Sequence, residues 1–217
     1  KRNIKIIEDA SESLGTVYKK NKAHTGTLGD LGVISFNGNK IITSGAGAMI
    51  LTNKKKLYKK LKYLIYQAKD DGYNFIHNEV GFNFAQTNLN AALGLAQLEK
   101  IRGILLKKRR LFNKYTAVIN QIKNYNIYNV PHYSENNHWL NILKVESEQK
   151  KIISKRMLDQ KIQIRPIWQL NHLQKKYVRS EKYKISNAIK LYKESICLPS
   201  SYHLTNDQFN KIVGLIY

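Results

Sequence analysis

The chain has 217 residues, with 37 basic against 15 acidic, a formal charge of +22 and a pI near 9.9. That length suits one large domain or two small ones, and no apolar run approaches the roughly 18–20 residues of a membrane span. The single cysteine, Cys197, excludes an internal disulfide framework or a thiolate metal cluster and fits a reducing, cytoplasmic setting. Such a charge attracts polyanions. The lysines are nevertheless dispersed among abundant Asn, Ile and Tyr, so no specific nucleic-acid partner and no membrane are expected. The runs Lys54–Lys62 and Lys107–Arg110 keep a basic nucleic-acid-binding protein open as an alternative.

In chain order, Ile4–Ile7 reads as a short buried strand closed by Glu8-Asp9-Ala10. Glycines at 15, 26, 29 and 32 predict turns. Val33–Phe36 is a second strand, Asn37-Gly38-Asn39-Lys40 a turn, and Met49–Thr52 a third strand. From Lys54 the period becomes helical, with Leu57, Leu61, Leu64, Ile65 and Ala68 on one face. Asp70–Thr87 is an irregular aromatic loop. Thr87 or Asn88 caps a helix with apolar positions Leu89, Ala92, Leu93, Ala96 and Leu98, and its patterning extends to about Ile122. Beyond it come a strand at His138–Val145, a helix at Glu148–Gln160, a strand at Ile162–Ile164 and a helix at Ser180–Lys193. A strand at Ile196–Leu198 and a helix over Thr205–Tyr217, capped by Thr205, complete the pattern. The interleaving is that of an α/β protein.

Three groups in this pattern carry chemistry. Asp9 stands just past a strand, Ser35 lies five residues before Lys40, and Lys40 sits on a turn followed by the small residues Thr43–Ala48. An acid, a hydroxyl and an amine in this order suit pyridoxal 5'-phosphate (PLP), which needs a lysine for its aldehyde, an acid for its ring nitrogen and hydroxyls for its phosphate. Singly, each has an ordinary structural reading as a cap or turn residue.

The segments IEDASESLG (Ile7–Gly15), GTLGDLGVISF (Gly26–Phe36), EVGFNF (Glu79–Phe84) and NLNAALGLAQLE (Asn88–Glu99) resemble the DegT/DnrJ/StrS family of nucleotide-sugar aminotransferases. The resemblance covers essentially the whole chain, down to Leu198-Pro199-Ser200-Ser201. Two further segments, Asn137–Asn141 and Arg165–Leu170, resemble the branch that aminates a 4-keto-6-deoxy-N-acetylhexosamine on routes to bacillosamine or legionaminic acid. The resemblance implies a PLP-dependent transferase of fold type I. The chain would comprise an N-terminally truncated large domain (1–105) and a small C-terminal α/β domain (106–217).

Residue by residue, the resemblance implies that Lys40 holds the cofactor covalently and shuttles a proton, while Asp9 pairs with the pyridinium nitrogen. Glu12 would stand beside the ring, Ser35 would bind the phosphate, and Asn83 would reach the phosphate of a neighbouring subunit in a homodimer. Arg165 and Trp168 would line the sugar-nucleotide pocket, and L-glutamate would be the amino-acid donor. Structural readings stand beside these: Asn83 as a loop amide, Glu12 as a first-turn acid, Trp168 as a core anchor. The family usually has Arg two residues after the asparagine matched by Asn83, where this chain has Ala85. Relatives of this kind are nearly twice as long, and the chain opens without Met on what reads as the end of a strand. The expectation is therefore a piece of a longer enzyme, with a non-catalytic remnant of the family as the alternative.

Overall fold

The computed structural model describes Arg2 and residues 4–217. They form two compact units: the first runs to Leu105 and takes in Pro131–Asn137, and the second comprises Leu106–Val130 and His138–Tyr217.

The first unit is built on a three-stranded sheet of order β1-β3-β4. Strand β1 (Ile7–Asp9) pairs in parallel with β3 (Leu31–Ser35), and β3 pairs antiparallel with β4 (Ala48–Leu51). Parallel strands need a long return connection. Here it is not a helix but a run of turns that also holds β2 (Val17–Tyr18), and β2 pairs with β6 (Ser134–Glu135). That pairing carries Pro131–Asn137 into the first unit. The return is anchored by Glu8, whose carboxylate accepts hydrogen bonds from Gly26 N (2.8 Å), Leu28 N (2.6 Å) and Gly29 N. Burial works to raise the Glu8 carboxyl, but the amides of Gly29, Gly26 and Leu28 outweigh it and hold the group below its ordinary value. The approach is close enough to dictate residue type. A Cβ at Gly32 would lie 1.9 Å from the Gly26 carbonyl oxygen, and one at Gly81 would lie 2.2 Å from the Ala68 nitrogen.

Helix α1 (Lys55–Ile65) turns Leu57, Leu61, Leu64 and Ile65 inward to half-buried positions, as its period predicts. Helix α2 (Asn88–Leu98) is capped by Thr87, which accepts from Asn90 N at 3.3 Å. The expected run to Ile122 is interrupted: Lys100 N bonds back to Gln97 O, tightening the last turn, and α3 (Ile101–Ile119) starts afresh.

The second unit carries an antiparallel sheet of order β5-β7-β9-β8. The strands are β5 (Asn126–Ile127), β7 (Asn141–Lys144), β8 (Arg165–Pro166) and β9 (Ser195–Leu198), with β9 buried along its whole length. Its core gathers Tyr115 and Ile119 of α3, Leu143 of β7, Ile153 and Met157 of α4 (Ser147–Asp159) and Ile196 of β9. Phe209 and Ile212 of α6 (Asn206–Gly214) complete it. A reciprocal capping box starts α6, Thr205 accepting from Gln208 N while the Gln208 side chain accepts from Thr205 N. Helix α5 (Ser186–Glu194) starts six residues later than its pattern suggested. The strand expected at His138 begins at Asn141, because His138 adopts a left-handed conformation (φ 49°). The strand expected at Ile162–Ile164 falls instead at Arg165–Pro166. Ile162 and Ile164 pack onto the core from a loop, and Pro166 sits on an outer strand where its missing N–H is tolerated.

One cation of the Lys107–Arg110 run is internal. Lys108 is buried and donates to the carbonyls of Trp139 (2.8 Å) and Ser200 (2.6 Å), and burial lowers its pKa to about 8. Between pH ~8 and the ordinary lysine range near 10.4 the folded chain has shed this proton while the unfolded chain keeps it. Stability therefore rises with pH across that window. Denaturant midpoints measured from pH 7.5 to 9.5 should show the rise in the native protein and lose it in Lys108→Met. In the same assay Leu143→Ala, which empties a fully buried site, should cost about 2–5 kcal/mol.

Candidate active site

The pairing of β1 with β3 sets Asp9 opposite Val33. Residues two apart on a strand share a face, so Asp9 and Ser35 stand on the same face at the carboxyl edge of the sheet. Ser35 ends β3, and its hydroxyl accepts from Asn37 N at 3.3 Å. Lys40 follows on a turn closed by its own N–H bonding to Asn37 O at 3.0 Å. Its side chain is only 12 % exposed, and its Nζ donates to Glu12 Oε1.

Asp9 is held below the usual carboxylate range. The Ser11 hydroxyl (2.5 Å) and the Ser11 N–H (3.2 Å) contribute most, and the positive charge of Lys40 adds to them against the effect of burial. Asp9 is thus ionised throughout neutral pH and lies within electrostatic reach of the lysine. Asp9, Glu12, Ser35 and Lys40 accordingly gather at the ends of β1 and β3. An amine flanked by two carboxylates and a hydroxyl at a strand-end edge fits the donor set that PLP requires.

Sequence reasoning missed three supporting groups. Glu8, one residue before Asp9, fixes the return connection as described above. Asn137 holds the Glu12 segment, its Nδ2 donating to the carbonyls of Glu12 (2.8 Å) and Leu14 (3.0 Å). Gln97 of α2 accepts from Thr43 N at 2.9 Å, three residues beyond Lys40. Each contact joins residues far apart in sequence; all three residues lie within family-like segments, but nothing local in those segments indicates the partner each one meets.

Asn83 lies elsewhere in the first unit, in a short bridge with Tyr66. The loop around it exposes Tyr73 (90 %), Phe75, Phe82 and Phe84, with Phe82 and Phe84 stacked at 5.0 Å. Arg165 and Trp168 belong to the second unit and are exposed there. Trp168 packs on Trp139 with ring centroids 5.8 Å apart rather than anchoring the core. A cavity of about 720 Å³ also opens in the first unit, lined among others by Met49, Ile50, Tyr58, Tyr66 and Phe84. It is apolar and contains none of Asp9, Glu12, Ser35 or Lys40, so it is a hydrophobic trough and not the place for the chemistry. Among the described residues no cluster of His, Cys, Asp and Glu could hold a metal ion, and no helix is long and apolar enough to cross a membrane.

Known proteins similar to this chain are sugar-nucleotide enzymes and aminotransferases by name. The chain is 32% identical to EpsN of Bacillus subtilis over 220 residues, covering 98% of this chain and 56% of EpsN. It is 34% identical to the GDP-perosamine synthase of Escherichia coli O157:H7 over 209 residues, 95% of this chain and 56% of that enzyme. Among solved structures it superposes on Spr1654 of Streptococcus pneumoniae in its PLP form with a TM-score of 0.86 at 18% identity, covering 98% of this chain and 57% of that one. The chain therefore spans little more than half the length of these relatives. The profile of one family matches from residue 1 to residue 217, and the chain belongs to the DegT/DnrJ/EryC1/StrS aminotransferase family.

Proposed function

We propose that this chain is the lysine-bearing part of a PLP-dependent aminotransferase that places an amino group on the 4-keto carbon of a nucleotide-linked sugar. The donor would be L-glutamate, the acceptor a 4-keto-6-deoxy-N-acetylhexosamine, and the setting the cytoplasmic synthesis of surface-glycan sugars. The observation that carries this reading is the meeting of Lys40, Glu12 and Asp9 at one sheet edge in a chain of this family. The sugar itself is supported only by the likeness of Asn137–Asn141 and Arg165–Leu170 to one branch, together with relatives from Campylobacter jejuni named for a UDP-linked 4-amino-4,6-dideoxy-N-acetyl sugar.

Bound PLP supplies an electron sink for the charge left when a proton departs from the carbon bearing the amine. Lys40 Nζ would hold the cofactor, and as a free amine it would carry the proton between the substrate's amine-bearing carbon and the cofactor carbon. Asp9, ionised at neutral pH, would pair with the ring nitrogen and keep it protonated. Glu12 pairs with the Lys40 amine and would stand beside the ring of a bound cofactor. The Ser35 hydroxyl donates to the phosphate. Arg165 and Trp168, on the second unit, would serve the sugar nucleotide, the guanidinium being suited to a diphosphate and the indole to a stacked ring.

The site is completed by a second copy. The exposed aromatics of residues 73–84 and the outward leucines of α2, with Leu89 84 % exposed, form an apolar surface that suits a homodimer, and Asn83 would reach the partner's phosphate from it.

In the protein at its full natural length, Lys40→Ala should abolish the visible absorption of lysine-bound cofactor and lower turnover by at least about 10²–10⁴-fold. Asp9→Asn should keep part of the cofactor and lose most of the rate. Full transamination by Lys40→Ala, or no PLP uptake by the folded wild type, would refute the reading. Sedimentation should show a dimer that Phe84→Ser combined with Leu89→Glu converts to monomer, with loss of bound PLP in parallel. A monomer that retains PLP would rule out the shared site.

A further inference from the structure

Helix α2 turns the wrong face inward. Its leucines 89, 93, 95 and 98 are all exposed, whereas Asn90, Gly94 and Gln97 are its half-buried positions. Those three lie at i, i+4 and i+7, a single stripe of the helix. The polar stripe packs on residues 43–44, at the end of the loop that carries Lys40.

The contacts there are specific. Gln97 Oε1 accepts from Thr43 N at 2.9 Å, and Asn90 Nδ2 donates to the Ser44 carbonyl. From the preceding loop, Gln86 Nε2 donates to the Ser44 hydroxyl at 2.7 Å. Three side-chain amides thus hold two consecutive residues, and Ser44 is fully buried among them. The same two residues close the base of the lysine loop: the Thr43 hydroxyl donates to Phe36 O at 2.9 Å, and Ser44 N donates to Phe36 O at 3.1 Å. Phe36 directly follows Ser35. Between the clamp and Lys40 lie only Ile41 and Ile42, both buried, so the backbone has little freedom to take up slack.

We propose that Gln97, assisted by Asn90, is a positioning residue that sets the reach and direction of the Lys40 amine through the Thr43-Ser44 backbone. The proposal rests on the reading of Lys40 as the cofactor lysine. A loop that must present an amine to a bound cofactor, release it and receive it back needs a fixed base, since a misplacement of about 1 Å can cost on the order of 10²-fold in rate. Gln97 supplies that base without touching the reacting atoms. The Thr43 N–H needs only an acceptor, so glutamate at position 97 preserves the contact and methionine, similar in volume, removes it.

The test compares Gln97→Met, Gln97→Glu and Asn90→Ala with the wild type at full natural length. In cofactor-free protein, amide exchange over residues 41–47 should quicken about five- to tenfold in Gln97→Met, the loss of one half-buried hydrogen bond, and stay within about twofold of wild type in Gln97→Glu. With PLP, Gln97→Met should capture cofactor on Lys40 about tenfold more slowly and show kcat reduced about tenfold, while KM for both substrates changes less than about twofold. Gln97→Glu should restore both, and Asn90→Ala should fall between. Unchanged exchange in Gln97→Met, or faster exchange with wild-type capture and kcat, would overturn the positioning role while leaving the function reading intact. A wild type that takes up no PLP would overturn the function reading, and the exchange measurement would still report whether Gln97 fixes the loop.

Discussion

The parallel pairing of β1 with β3 brings two strand ends to one edge of the sheet, and the register that aligns Asp9 with Val33 determines which side chains share that edge. Because side chains alternate along a strand, a shift of one residue would turn Asp9 to the opposite face and separate it from Ser35 and the lysine turn. Three residues of β1 are too few to hold such a register alone. Glu8 supplements them by gripping the amides of residues 26, 28 and 29 just ahead of β3, so the return connection cannot slip relative to the strand it leaves. A half-buried carboxylate that serves structure thus stands directly beside an exposed one that serves chemistry.

A second layer of control comes from side-chain amides. Asn137 fastens the Glu12 segment, Asn90 and Gln97 fasten the far end of the lysine loop, and Gln86 adds a hydroxyl contact. Amides suit this work because they carry donors and acceptors without charge, so they bind backbone groups near ionised residues without disturbing those residues' titration. The carboxylates and the lysine are left to the electrostatics of the site.

Many of the elements were legible in the sequence, but not the first: the buried strand expected at Ile4–Ile7 begins only at Ile7, and Ile4, Ile6 and Ile7 are exposed. The half-buried face of α1, the Thr87 and Thr205 caps, and the strands near 33, 49 and 196 all follow from local pattern. A strand end and a turn already pointed to Asp9, Ser35 and Lys40, whereas Glu12 was implied only by the family resemblance. What local pattern could not convey was partnership at a distance. Val17–Tyr18 and Ser134–Glu135 are too short to announce themselves as strands, yet they pair across more than a hundred residues. Lys108 reads as one more surface lysine, because nothing adjacent in sequence indicates the two carbonyls that receive it. Helix α2 misled for another reason: its apolar residues suggest an inward face, whereas within this chain the polar stripe is the packed one.

The crowding at Gly32 and Gly81 bears on how variation in this chain is to be read. At both positions a single added carbon would collide with main-chain atoms of another segment, so a deep scan of substitutions would score almost every allele as deleterious there. Neither glycine has a functional group to contribute. Intolerance at these sites would trace the interlocking of the backbone, and an atlas of mutational sensitivity would have to subtract it before its remaining peaks could be attributed to chemistry.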